Sequence, residues 1–165
     1  MLPGIGRFYK NASSHLLILT KCVLATEGPV LELGSGVHST PLLHWLCYEK
    51  RRFLLTYEDN PDFYHLARKF QTRNHRIRMT DWRLDIRGHW SVALVDQASR
   101  ARTPNAIYLA DKVEYILLHD SDSAAHYRYD RVWPHFKYRL DYTDAKPWTT
   151  VLSNFKDPSW LNSAS

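Results

Sequence analysis

The sequence predicts a single α/β domain, a mostly parallel sheet with helices on both faces, and three observations predict it. Short apolar runs alternate with helix-patterned stretches almost from end to end, the order that builds a parallel sheet. The first apolar run, Val30 to Leu33, leads through a glycine turn into a helix start at Thr40-Pro41. The last two strands are separated by Asp144-Ala145-Lys146-Pro147, a connection so short that it permits only antiparallel pairing. A chain of 165 residues suits one core rather than two.

The elements follow in order. After an irregular start, Ser13 or Ser14 is placed to cap a helix running through Leu16, Leu17, Leu19 and Val23 towards Thr26, where Glu27-Gly28-Pro29 stops it. Residues 1–27 thus read as an N-terminal helical segment, 28–156 as the main domain and 157–165 as a tail. Val30 to Leu33 is the first strand. Thr40 then reads as an N-cap with Pro41 at the first helical position. That helix carries Leu42, Leu43, Trp45 and Leu46 and ends in Lys50-Arg51-Arg52, where cations suit the helix dipole.

Phe53 to Tyr57 is the second strand, and Asn60-Pro61 opens a helix with Phe63, Leu66, Ala67 and Phe70 on one face. Arg76 to Met79 and Trp90 to Val95 are the third and fourth strands, followed by a helix over Thr103 to Ala110. Tyr115 to Leu118 is the fifth strand and Tyr127 to Val132 a short helix. Phe136 to Tyr142 and Thr149 to Phe155 complete a sheet of seven. The tail from Lys156 is polar apart from Trp160 and Leu161, and is expected to fray.

Composition removes several classes. A hydrophobic share of 44% with 24% charged residues is that of a globular protein. No run approaches the roughly 18 apolar residues of a membrane span. Met1 to Lys10 has no apolar core of a secretory leader, and Cys22 and Cys47 lie in apolar segments as buried free thiols. Together these point to the cytoplasm. The net charge of +5 favours an acidic partner, and its densest cluster is Lys69, Arg73, His75, Arg76 and Arg78. Such a cluster suits phosphates, and equally a solvated helix end.

The chemistry concentrates in Glu32-Leu33-Gly34-Ser35-Gly36-Val37-His38-Ser39-Thr40. Gly34 and Gly36 let the backbone turn sharply and approach a ligand, and the following helix offers free N–H groups to a carboxylate. The third glycine of a dinucleotide fingerprint is Ser39 here, and Glu32 at the strand end opposes a pyrophosphate. A carboxylate there tolerates an amino-acid-like ligand, because it accepts from an ammonium group. Without a ligand the segment is a plain strand–turn–helix corner. Glu58 closes the next strand, 22 residues beyond Gly36, near the spacing at which an acid meets both hydroxyls of a ribose. Taken alone, it is a solvated strand-end charge.

On these residues the chain resembles the class I S-adenosylmethionine-dependent methyltransferases, over roughly Gly28 to Phe155. The resemblance implies a Rossmann-like three-layer fold with a seven-stranded sheet and an antiparallel last strand. It also implies a methionine-binding loop at Glu32 to Gly36, with Ser39 and Thr40 among the cofactor-binding residues. Glu58 and Asp59 fall beside the ribose, and Asp81 with Trp82 beside the adenine. Trp82 serves equally as a core anchor.

The fourth strand ends in Asp96 and the fifth in His119-Asp120-Ser121-Asp122, so acids converge at the strand ends where open α/β sheets bind ligands. Asp96, His119 and Asp120 are the expected reaction centre, with Asp96 also bordering the cofactor. A base there removes the proton that makes a hydroxyl a poor nucleophile. Asp96, Asp120 and Asp122 are also candidate oxygen ligands for Mg²⁺ or Mn²⁺. The plainer alternative is that Asp120 caps a helix and His119 packs on the sheet.

The pattern resembles the O-methyltransferase branch, with a fainter likeness to polysaccharide-type enzymes such as glucuronoxylan methyltransferases. The expected acceptor is a small-molecule or saccharide hydroxyl. Asp96-Gln97-Ala98-Ser99 replaces the Asn/Asp-Pro-Pro-aromatic motif of base-methylating enzymes. His126, Tyr127, Tyr129, Trp133 and Trp148 are candidate acceptor-pocket aromatics, or core. Two rivals stand beside this reading: a non-catalytic binder of S-adenosylmethionine or S-adenosylhomocysteine, and an RNA-directed enzyme.

Overall fold

The computed structural model describes residues 13–98 and 100–162. The irregular start before Ser13, Ser99 and the last three residues of the tail lie outside them. Helix α1 (Leu16–Leu24) leads into strand β1 (Val30–Leu33), α2 (Ser39–Glu49), β2 (Leu54–Glu58), α3 (Pro61–Ala67), β3 (His75–Met79) and β4 (Trp90–Val95). Helix α4 (Arg102–Leu109), β5 (Val113–His119), α5 (Ala124–Tyr127), β6 (Tyr138–Tyr142) and β7 (Thr149–Ser153) complete the fold.

The sheet has seven strands in the order β3-β2-β1-β4-β5-β7-β6. Strands β1 to β5 are parallel, and β7 runs antiparallel to both β5 and β6. This is the predicted architecture. The central strands β1, β2 and β4 are buried along their whole length, which is why they read as continuous apolar runs. Alternate residues point to opposite faces and feed two cores. Leu31, Leu33, Ala93, Val95 and Leu118 pack with Ala106 and Leu109 of α4. Val30, Leu54, Val92 and Leu117 pack with Ile18 and Val23 of α1 and Leu43 of α2. Cys22 and Cys47 are buried free thiols in this second core. Among the described residues no helix is long and apolar enough to cross a membrane.

From β1 the chain steps outward to β2 and β3, then returns to the other side of β1 as β4. The strand order reverses between β1 and β4, so their carboxyl ends flank the usual ligand position in such sheets.

Several local expectations shift, most often where a polar side chain has a tertiary partner. Ser14 does not cap α1, whose N-cap is His15; its hydroxyl donates to Pro147 O at 2.6 Å. Thr40 lies inside α2, whose N-cap is His38. Of the basic group after α2, Arg52 is buried, and its guanidinium donates to Val23 O and Thr26 O. The cation therefore serves the end of α1 rather than α2. Asn60 caps α3 as expected, accepting from Asp62 N and Phe63 N. The helix expected over Tyr127 to Val132 breaks at Arg128, in left-handed backbone (φ 61°), into α5 and a 3₁₀ turn. The tail is held as far as Leu161, which is 3% exposed, with Trp160 Nε1 donating to Tyr115 Oη.

Candidate functional site

The glycine turn after β1 is built by close approach and by carboxylates. Gly34 has φ 89°, and a Cβ there would lie 2.5 Å from the backbone nitrogen of Gln97, so only glycine lets the ends of β1 and β4 meet. Ser35 donates from both its backbone N–H and its hydroxyl to Glu58 Oε2, at 2.7 and 2.8 Å. The other oxygen of Glu58 accepts from Asp59 N and Asn60 N. Burial raises the Glu58 carboxyl despite these bonds. Of its donors, the Ser35 hydroxyl is the one that can rotate away and leave a lone pair for a ligand hydroxyl.

Glu32, Ser39 and Thr40 lie beneath the turn rather than at its mouth. Glu32 is fully buried and accepts from the Thr40 hydroxyl at 3.0 Å and the Thr56 hydroxyl at 2.7 Å. Thr40 Oγ1 in turn accepts from Gly36 N. Thr56 Oγ1 also lies 2.9 Å from His75 Nε2, and His75 Nδ1 lies 3.1 Å from His44 Nδ1. With hydroxyl donors and, among the described residues, no cation beside it, the carboxyl of Glu32 is pushed up to about 7 by burial.

Asp59, exposed beside Glu58, accepts from Trp82 Nε1 at 2.8 Å, which joins the ends of β2 and β3. Trp82 (φ 67°) packs partly on the core and partly at this edge. Asp81 is exposed and paired with Arg83.

At the ends of β4 and β5 an unforeseen residue organises the site. Arg102, at the start of α4, is 3% exposed and donates to Asp96 Oδ1 (2.9 Å), Asp120 Oδ2 (3.0 Å) and His119 O (2.9 Å). Its guanidinium lies over the ring of Tyr127, 4.1 Å from the centroid. His119 Nδ1 donates to Asp96 Oδ1 at 2.9 Å, while Nε2 lies 3.1 Å from Ser14 Oγ. The proton of Ser14 goes to Pro147 O, so Nε2 donates as well, and the ring holds both protons. Burial opposes that charge, but the bond to Asp96 wins and His119 is raised. For Asp96, burial alone would raise the carboxyl; the bond from His119 and the charges of His119 and Arg102 hold it below the usual range.

The expected centre of Asp96, His119 and Asp120 is therefore brought together. Asp120 sits in left-handed backbone (φ 56°), and its carboxylate binds Arg102 instead of capping a helix. The carboxylate trio expected to hold Mg²⁺ or Mn²⁺ is not assembled: Arg102 is the cation between Asp96 and Asp120, and exposed Asp122 accepts from Trp148 N. Tyr129 is wholly buried, donating to His119 O, and His126 is exposed. His15 was also unforeseen. It is 1% exposed, its ring centroid is 4.4 Å from that of His119, and among the described residues neither ring nitrogen has a hydrogen-bond partner. A buried arginine and an exposed one read alike in sequence, and His15 looks like any first-turn residue.

The strand order and crevice define a Rossmann-like methyltransferase fold, and solved structures agree. A methyltransferase from Pyrococcus furiosus matches with a TM-score of 0.52 at 14% identity, over 85% of this chain and 83% of that one. A TehB-like S-adenosylmethionine-dependent methyltransferase from Corynebacterium glutamicum matches at 0.56 and 12%, over 86% of each. The fibrillarin pre-rRNA processing protein of Methanococcus jannaschii matches at 0.59 and 14%, over 79% of this chain and 68% of that one. At these identities the likeness is one of fold. No model of a known family matches the chain, and no curated protein matches it.

Proposed function

We propose that this chain is an S-adenosylmethionine-dependent methyltransferase of the O-methylating kind, with a small-molecule or saccharide hydroxyl as acceptor. One observation carries the reading: a glycine turn tied to a strand-end acid, Ser35 on Glu58, stands across the β1–β4 crevice from a carboxylate–imidazole centre, Asp96 on His119. The donor set fits the cofactor. Gly34, Ser35 and Gly36 would hold the methionine part, Glu58 and Asp59 the ribose, and Trp82 with Asp81 the adenine. Glu32, Ser39 and Thr40 support the loop from below rather than touch the ligand. When bound, S-adenosylmethionine supplies a methyl already activated on sulfur.

The chain's own residues then have to orient an oxygen and receive its proton. Arg102 and His119 occupy Asp96 Oδ1, which leaves Oδ2 to accept from the acceptor hydroxyl. Held ionised, Asp96 aligns the hydroxyl and takes up its proton as the oxygen gains the methyl. Asp120, fixed by the same guanidinium, borders the acceptor side.

Transfer of labelled methyl to fractionated small molecules, saccharides and RNA tests the reading. Asp96→Asn is expected to lower transfer about 100-fold or more, with S-adenosylmethionine binding retained; unchanged turnover removes Asp96 from the mechanism. RNA as acceptor is favoured by Lys69, Arg73, Arg76 and Arg78, all exposed near edge strand β3, and by the fibrillarin match. Labelling of RNA alone would establish it. Binding without any transfer would favour the non-catalytic reading.

A further inference from the structure

We propose that His15, Asp96 and His119 form a binding site for one divalent transition-metal ion of the Zn²⁺ or Co²⁺ type. The three side chains come from α1's N-cap, the end of β4 and the end of β5, and each offers one ligand atom within 4.8 Å of the other two. Ligands around one tetrahedral ion, each about 2.0–2.2 Å from it, stand about 3.3–3.6 Å apart. A side-chain rotation closes the remainder.

His15 is the observation that points to a ligand. A buried imidazole almost always has a hydrogen-bond partner. Among the described residues His15 has none at either nitrogen, and its ring stands edge-on to His119 at 64°. His119 is itself already tied to an anionic oxygen, Asp96 Oδ1. An ion bound there takes the place of the proton that His119 shares with Asp96. Binding therefore releases protons and weakens at low pH.

The surroundings resemble those of a metal centre with an open position. The side chain of Asp96 is 22% exposed, against 5% for His119, so exchangeable ligands enter from the carboxylate side. Ser14 Oγ at His119 Nε2 and Arg102 at Asp96 fix both ligands from behind. Two imidazoles and one carboxylate select Zn²⁺, Co²⁺ or Fe²⁺ over Mg²⁺, which prefers oxygen. The set shares only Asp96 with the carboxylate trio read from the sequence. The inference stands on these three side chains; only the use of such an ion to acidify an acceptor hydroxyl rests on the methyl-transfer reading.

Titration of the chelator-treated full chain with Co²⁺, followed by its visible ligand-field bands, tests the site. One equivalent is expected to bind and to be displaced by Zn²⁺ but not by Mg²⁺. His15→Ala and the bulkier His15→Gln are each expected to weaken Co²⁺ at least about tenfold, with circular dichroism confirming a folded chain. Failure to bind either ion, or binding undiminished in both folded variants, overturns the proposal. S-adenosylmethionine calorimetry on the same samples separates that failure from failure of the methyltransferase reading.

Discussion

A buried carboxylate and a half-buried one stand at the ends of neighbouring strands, and the protein treats them in opposite ways. Glu32 on β1 is surrounded by hydroxyl donors and, among the described residues, has no cation beside it, so burial dominates and its carboxyl rises to about 7. Asp96 on β4 meets Arg102 and His119, which overcome burial and keep it ionised. The first arrangement fixes a loop: Thr40 links Glu32 to Gly36, and the chain Thr56–His75–His44 runs on from the other oxygen. The second leaves one carboxylate oxygen facing an opening with its charge intact. One carboxylate is scaffold and the other is equipped for chemistry, although a sequence shows only two acids at strand ends.

Removing the cation from the Asp96 side has the largest expected effect. Arg102→Met leaves Asp96 and Asp120 facing one another without their counter-charge and strips three backbone carbonyls of a donor. A loss of about 3–5 kcal/mol in urea unfolding is expected; a loss below about 1 kcal/mol would show that the pair is not held together by Arg102.

The Glu32 side is broken by pH. Its folded pKa of about 7 lies above its ordinary value of 4.5, so the buried charge destabilises the fold increasingly as pH rises from 4.5 to 7. His75, lowered to about 4, works in the opposite sense: the fold gains stability between pH 4 and 6.5. Glu32→Gln removes the first slope and leaves the second. Relative to wild type, the variant is expected to gain up to about 3 kcal/mol between pH 4.5 and 8 in unfolding experiments; a difference independent of pH would mean that Glu32 is not buried as a charge.

The smallest effect is at the mouth of the turn. Ser35→Ala removes one of four donors to Glu58 and leaves the backbone bond from the same residue. Its expected cost is about 1 kcal/mol or less in thermal stability, with cofactor affinity unchanged or improved, because a lone pair of Glu58 is freed. A large loss of affinity would show that the Ser35 hydroxyl itself holds the ligand.

The fold was legible because parallel strands buried on both faces leave an unbroken apolar record, as in Val30 to Leu33 and Trp90 to Val95. The glycine turn was legible because Gly34 has no substitute at its backbone angle and its approach to Gln97. The convergence of Asp96, His119 and Asp120 followed from their places at adjacent strand ends. Hidden were the residues whose role depends on what the fold brings near. Ser14 and Thr40 look like helix caps, yet Ser14 reaches Pro147 and Thr40 reaches Glu32. Arg102 stands just before the helix expected over Thr103 to Ala110 and gains its role only when two strand-end acids close on it, and His15 gains meaning only from His119 across the fold.

The central claim, that the β1–β4 crevice takes an adenosylated amino acid, is tested most directly by isothermal calorimetry. Titration with S-adenosylmethionine and S-adenosylhomocysteine should give one saturable site, lost in Glu58→Ala, and NAD should give no heat. Silence towards both sulfur ligands at about 1 mM, an affinity of only some 4 kcal/mol, or an equal response to NAD, would contradict it.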